Sequence, residues 1–117
     1  MVNIDNCVEK IFGFYDEEVG HIWATDNCFF RIFNSKDKQL IISCSIERGS
    51  RIRIYNCHDN CEIDYNVIYS NIINDKCILK FIVPTNDCLV NMRISTRINA
   101  PNDSRVLGVC FFSIDIQ

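Results

Sequence analysis

Apolar and polar positions alternate along most of this chain. In LIISCSI, Leu40, Ile42, Cys44 and Ile46 share one parity; in CILKFIV, Cys77 is in step with Leu79, Phe81 and Val83; in CFFSIDI, Cys110 is in step with Phe112, Ile114 and Ile116. Successive side chains of a strand point to opposite faces, so shared parity means a shared face. Runs rich in Ile, Val, Phe and Tyr predict strands over 21–25, 28–33, 39–46, 51–55, 62–69, 76–83, 88–96 and 106–116. The segments between them, NSKDK, ERGS, NCHDN, NIIND, PTND and NAPNDS, are built from turn formers. Helical spacing survives only in the first dozen residues, where Val8, Ile11 and Phe12 predict a short turn of helix. About eight short strands without a crossover helix predict an all-β, antiparallel, two-sheet β-sandwich of jelly-roll type, with Leu107 and Val109 on one face of the last strand and Cys110, Phe112, Ile114 and Ile116 on the other.

The length of 117 residues suits one core, so residues 1–117 are read as a single domain. Apolar residues make up 48% and charged residues 23%, which is globular composition. The net charge of -3 provides no basic face for a phosphate backbone, and Arg48, Arg51 and Arg53 form only a local cluster at a turn, which argues against nucleic acid. No apolar run approaches the roughly 18 residues of a membrane helix, and MVNIDNCVEK is acidic where an export signal is basic, so neither membrane nor secretion is expected. Eight cysteines would suggest a disulfide framework in a secreted chain. The core parity of Cys44, Cys77 and Cys110 favours reduced thiols in a cytoplasmic protein.

Candidate chemistry is sparse. Two distant histidines, His21 and His58, and the absence of a nucleophile elbow, an HExxH or a glycine-rich phosphate loop argue against an enzyme and against a cofactor. Asp16, Glu17 and Glu18 are neighbours on an extended segment and point apart, unlike a glycosidase acid/base pair. Cys57, His58 and Cys61 are weak metal candidates, one ligand short of a zinc tetrahedron that Cys88 or His21 would have to complete. Trp23 in HIWAT reads first as a core anchor and second as a stacking platform for a sugar ring, and Tyr15, Tyr55, Tyr65 and Tyr69 are further aromatic candidates. Asp103 and Arg105 follow a proline turn, where Asp103 caps the turn and Arg105 reaches for a carboxylate in FYDEE; a brace is the first reading and a binding site the second. Gly108 admits the close approach of another backbone to the last strand.

Taken together, GFYDEE, HIW, FRIF, LIISCSI, LKFIVP and RINAPNDSRVLGVCFFSIDI resemble the small β-sandwich modules appended to bacterial and viral glycosyltransferases and polysaccharide-assembly proteins. Those modules open with G-[WF]-Y-x-x-E, carry a Trp soon afterwards, and close with a proline followed by D-x-R-x-L-G-V. Gly13, Tyr15 and Glu18 fall on the opening element, Trp23 on the tryptophan, and Pro101, Asp103, Arg105, Leu107, Gly108 and Val109 on the closing one. The arginine that often precedes the Trp is replaced by Ile22. The resemblance implies a non-catalytic, carbohydrate-binding-like accessory domain that serves a glycosyltransferase catalytic domain or chain. Its glycan site would use Trp23 or Tyr15 as the platform, with Glu18, Asp103 and Arg105 as hydrogen-bonding partners or their support. The alternative is a protein-interaction or homo-oligomerisation module whose sheet face or edge docks another chain.

Overall fold

The computed structural model describes residues 2–69, 76–98 and 100–117, and the predicted NIIND break lies outside them. Ten strands follow in chain order: β1 (Asn3–Ile4), β2 (Val8–Phe14), β3 (Ile22–Phe33), β4 (Gln39–Ile46), β5 (Ile52–Asn56), β6 (Cys61–Glu62), β7 (Asn66–Tyr69), β8 (Lys76–Ile82), β9 (Asp87–Ile94) and β10 (Val109–Ile116). No helix occurs among the described residues. They form one hydrogen-bonded network in the order β6-β5-β9-β3-β10-β4-β8-β7, with β2 on β3 and β1 on β10. Every pairing is antiparallel except the short β1–β10 pair. Although β6 and β7 stand at opposite ends of this order, only Ile63, Asp64 and Tyr65 separate them in the chain. Such a link spans at most roughly 14 Å, so the sheet must bend back on itself, and it curls into a half-barrel around one core.

β3 makes the curl possible. Its first residues, Ile22 to Ala24, pair with β10, and from Asn27 onward the same side of the strand pairs with β9. The change of partner falls at Thr25 and Asp26, where the strand predicted over 21–25 ends and the gap before 28–33 begins; the chain runs through it as one long strand. Two glycines press against this joint. A Cβ on Gly108 would lie 2.8 Å from Thr25 C and nearer still to the Asp26 backbone, while one on Gly13 would lie 2.9 Å from Asn27 O. Gly13 also has a φ of +88° within the irregular β2 ladder, a conformation that glycine adopts without steric cost.

Alternation sorts the core as expected along β4 and β8: Leu40, Ile42, Cys44 and Ile46 are buried, as are Cys77, Leu79, Phe81 and the adjoining Val83. The sequence misplaces the faces of β10. A bulge between Phe111 and Ser113 inserts Phe112, so Val109, Phe111 and Ile114 enter the core. Phe112 lies under the Lys76 ammonium at 4.5 Å. The predicted first helical turn is also absent, because β2 pairs with β3 and β1 with β10. The strand expected over 62–69 is two short ones at opposite ends of the sheet order.

Candidate functional site

The hairpin joining β2 to β3 gathers the residues singled out above. Glu18 and His21 exchange backbone hydrogen bonds of 2.9 and 3.3 Å, with Gly20 at φ +79° closing the turn and Val19 fully exposed at its tip. Below it Tyr15 N–H donates to Trp23 O at 2.9 Å. Ile22 and Ala24 are buried, so strand alternation turns Trp23 to the outer face, where it is only half-buried. This corrects the first reading of Trp23 as a core anchor. Its ring meets His21 edge-on at a centroid distance of 6.0 Å, and its β10 partner is Cys110, whose thiol burial pushes up to about 11, with the negative charge of Glu18 as a smaller cause.

The closing element reaches the same hairpin. Asp103 Oδ1 accepts from the Arg105 backbone N–H at 3.0 Å, and its carboxylate takes Arg105 Nε at 3.0 and 3.1 Å and Nη2 at 2.7 Å. Arg105 thereby folds back across Tyr15, its guanidinium carbon 5.3 Å from the ring centre, and brings Nη1 to 3.7 Å from Glu18 Oε2. Tyr15 Oη accepts from Val106 N–H and donates to Val106 O, both at 3.1 Å. The Arg105 side-chain and backbone hydrogen bonds hold the Asp103 carboxyl down at about 2. Glu18 Oε2 also faces His21 Nε2 at 3.1 Å, while His21 Nδ1 faces Val19 O at 3.1 Å. Both His21 partners are acceptors, so the ring donates to both only as the imidazolium.

All five predicted site residues, Tyr15, Glu18, Trp23, Asp103 and Arg105, thus belong to one connected cluster. Within it the roles separate. Asp103, Arg105 and Tyr15 spend their polar atoms on one another and on Val106, which is the work of a brace. Glu18 Oε1 and Trp23 Nε1 have no hydrogen-bond partner among the described residues and remain open to solvent-borne groups. His21 was missed as a member of the cluster; the signal was the turn Glu-Val-Gly-His, which places residues 18 and 21 opposite each other.

The other candidates lie outside this cluster. Among the described residues no three His, Cys, Asp or Glu side chains converge to hold a metal, so Cys57, His58 and Cys61 do not form a ligand set. They lie in the β5–β6 hairpin, where Asn56 Oδ1 accepts from His58 N–H and Asp59 Oδ1 from Cys61 N–H. All eight cysteines are free, and Cys44 Sγ stands 3.7 Å from Cys77 Sγ, well beyond a disulfide bond. Burial pushes the Cys28 thiol up to about 12. Tyr65 is likewise tied down, donating to Ile52 O at 2.6 Å. Compared with family models, curated proteins and solved structures, the chain matches none.

Proposed function

We propose that the chain is a non-catalytic carbohydrate-binding or glycosyltransferase-associated accessory domain, a jelly-roll-like sandwich working in the cytoplasm. The observation that carries this reading is the half-buried, outward-facing Trp23 on the same hairpin as Glu18, fastened by the Tyr15, Asp103 and Arg105 brace. An indole face covers the C–H face of a pyranose, and the open Glu18 oxygen accepts from a hydroxyl. Rigid placement limits the ordering cost of binding, yet one platform and one acceptor bury little area, so affinity is weak. A glycan array followed by calorimetry on wild type, Trp23→Ala and Glu18→Gln tests it. A saccharide bound by wild type and lost by a folded Trp23→Ala variant supports the reading; silence across the array at millimolar ligand defeats it.

A second reading, a protein-interaction or oligomerisation module, is favoured by a separate observation. On the outer side of β7 and β8, Ile68, Ile78 and Ile82 are exposed, and Ile68 and Ile78 are direct cross-strand partners. Light scattering over a concentration series distinguishes it through a mass that rises with concentration in wild type and falls in Ile68→Lys.

A further inference from the structure

Three arginines meet on the outer face of β5 and β9. Ile52 and Ile54 are buried, which turns Arg51, Arg53 and Tyr55 outward, and Arg93 is the direct cross-strand partner of Arg53. Directly opposed like charges destabilise a sheet, and this pair sits in a protein of net charge -3 with acidic residues in excess. Arg51, Arg53 and Arg93, with Ile94 and Ser95, line a cavity of about 260 Å³ that contains no carboxylate. Glu62 lies only at the limit of pairing, 3.9 Å from Arg53 Nε, and neither Arg51 nor Arg93 has a carboxylate partner among the described residues.

Of the three arginines, Arg93 is held in place by its neighbours. Arg93 lies 4.6 Å over the Tyr55 ring and donates Nε–H to Asn91 Oδ1 at 2.7 Å. Asn91, only 2% exposed, is anchored in turn by donating to Asn27 Oδ1 at 2.7 Å and Cys28 O at 3.1 Å. That arrangement consumes one guanidinium N–H of Arg93 and leaves its two Nη groups without a protein partner among the described residues. On the other wall the Arg51 backbone N–H donates to Ser95 Oγ at 2.7 Å, and the buried Ser50 hydroxyl lies 3.2 Å from the same oxygen. One held arginine and two more thus line a hollow without a carboxylate, while Glu62 and Asp64 line an adjoining one that Arg51 and Arg53 share.

We propose that this pocket binds a tetrahedral oxyanion, the phosphoryl or sulfuryl group of a small ligand. A dianion between Arg53 and Arg93 removes their repulsion and accepts from several forks at once, which a planar monocarboxylate does less fully. The pocket shares no residue with the Trp23 cluster, so the two sites stand or fall separately. The test is an NMR titration of the full chain with sodium phosphate, sodium sulfate and glucose 6-phosphate, each at constant ionic strength against chloride. Saturable shifts centred on Arg51, Arg53, Arg93 and Ser95 are expected, weakened at least about fivefold in Arg53→Gln and in Arg51→Gln, as loss of a charge-assisted contact requires. Arg51→Gln leaves the Asn91 network untouched and guards against a variant that simply unfolds. Preference for glucose 6-phosphate over inorganic phosphate identifies an ester as the ligand, and equal binding identifies the free ion. Shifts that stay linear and match chloride, or saturable binding unchanged in both variants, overturn the proposal.

Discussion

Asp103 shows how a surface ion pair becomes a structural fastener. Its carboxylate receives a backbone N–H and two side-chain nitrogens from a residue only two positions away, so its ordinary value near 3.8 falls to about 2. A carboxyl depressed in the folded protein stabilises it above the unfolded value and loses that contribution as pH falls through the folded one. The brace is therefore intact at neutral pH, begins to weaken near pH 4, is half protonated near pH 2 and is gone only below it. Carbon-detected NMR of the side chain is expected to report a midpoint near 2 in wild type and a clear rise in Arg105→Gln. The melting temperatures of the two proteins should converge as pH falls below 2; a gap that persists there would mean that Arg105 works through packing on Tyr15. Proline, aspartate and arginine at this spacing made the fastener legible, whereas the direction of Trp23 was not, because an indole suits a core and a surface equally.

At the scale of elements, a β-bulge decided what the alternation rule missed. Phe111 and Phe112 are chemically alike, and parity alone assigned Phe112 to the core; the inserted residue reverses this, leaving Phe111 fully buried and Phe112 against Lys76. Urea unfolding is expected to give a loss of about 3–5 kcal/mol for Phe111→Ala and about 1 kcal/mol for Phe112→Ala, comparable to a surface cation–π contact. Equal losses would place the bulge elsewhere. Where strands were regular, as in β4 and β8, their buried faces were legible residue by residue. The misread helical turn has a similar cause: Val8, Ile11 and Phe12 mimic helical spacing because β2 is itself irregular, with register shifts on either side of Phe12. Irregularities of this kind answer to the neighbouring strand, and no single segment encodes them.

For the whole molecule, the all-β character was legible, while the number and order of strands were not: about eight were expected where ten occur among the described residues, and non-local pairing depends on closing loops of very different length. The last strand illustrates the consequence. β10 lies inside the sheet, between β3 and β4, and β1 flanks it as well. A chain shortened by residues 109–117 is expected to lose its cooperative urea transition and to aggregate on a light-scattering column, because both β3 and β4 would present open edges. A truncated chain with an unchanged transition would show that the two halves fold apart. During synthesis the ribosome makes this central element after both of its neighbours, so β3 and β4 wait with unpaired edges until it emerges. Until β10 has joined the sheet, the nascent polypeptide thus depends on whatever shields those two edges.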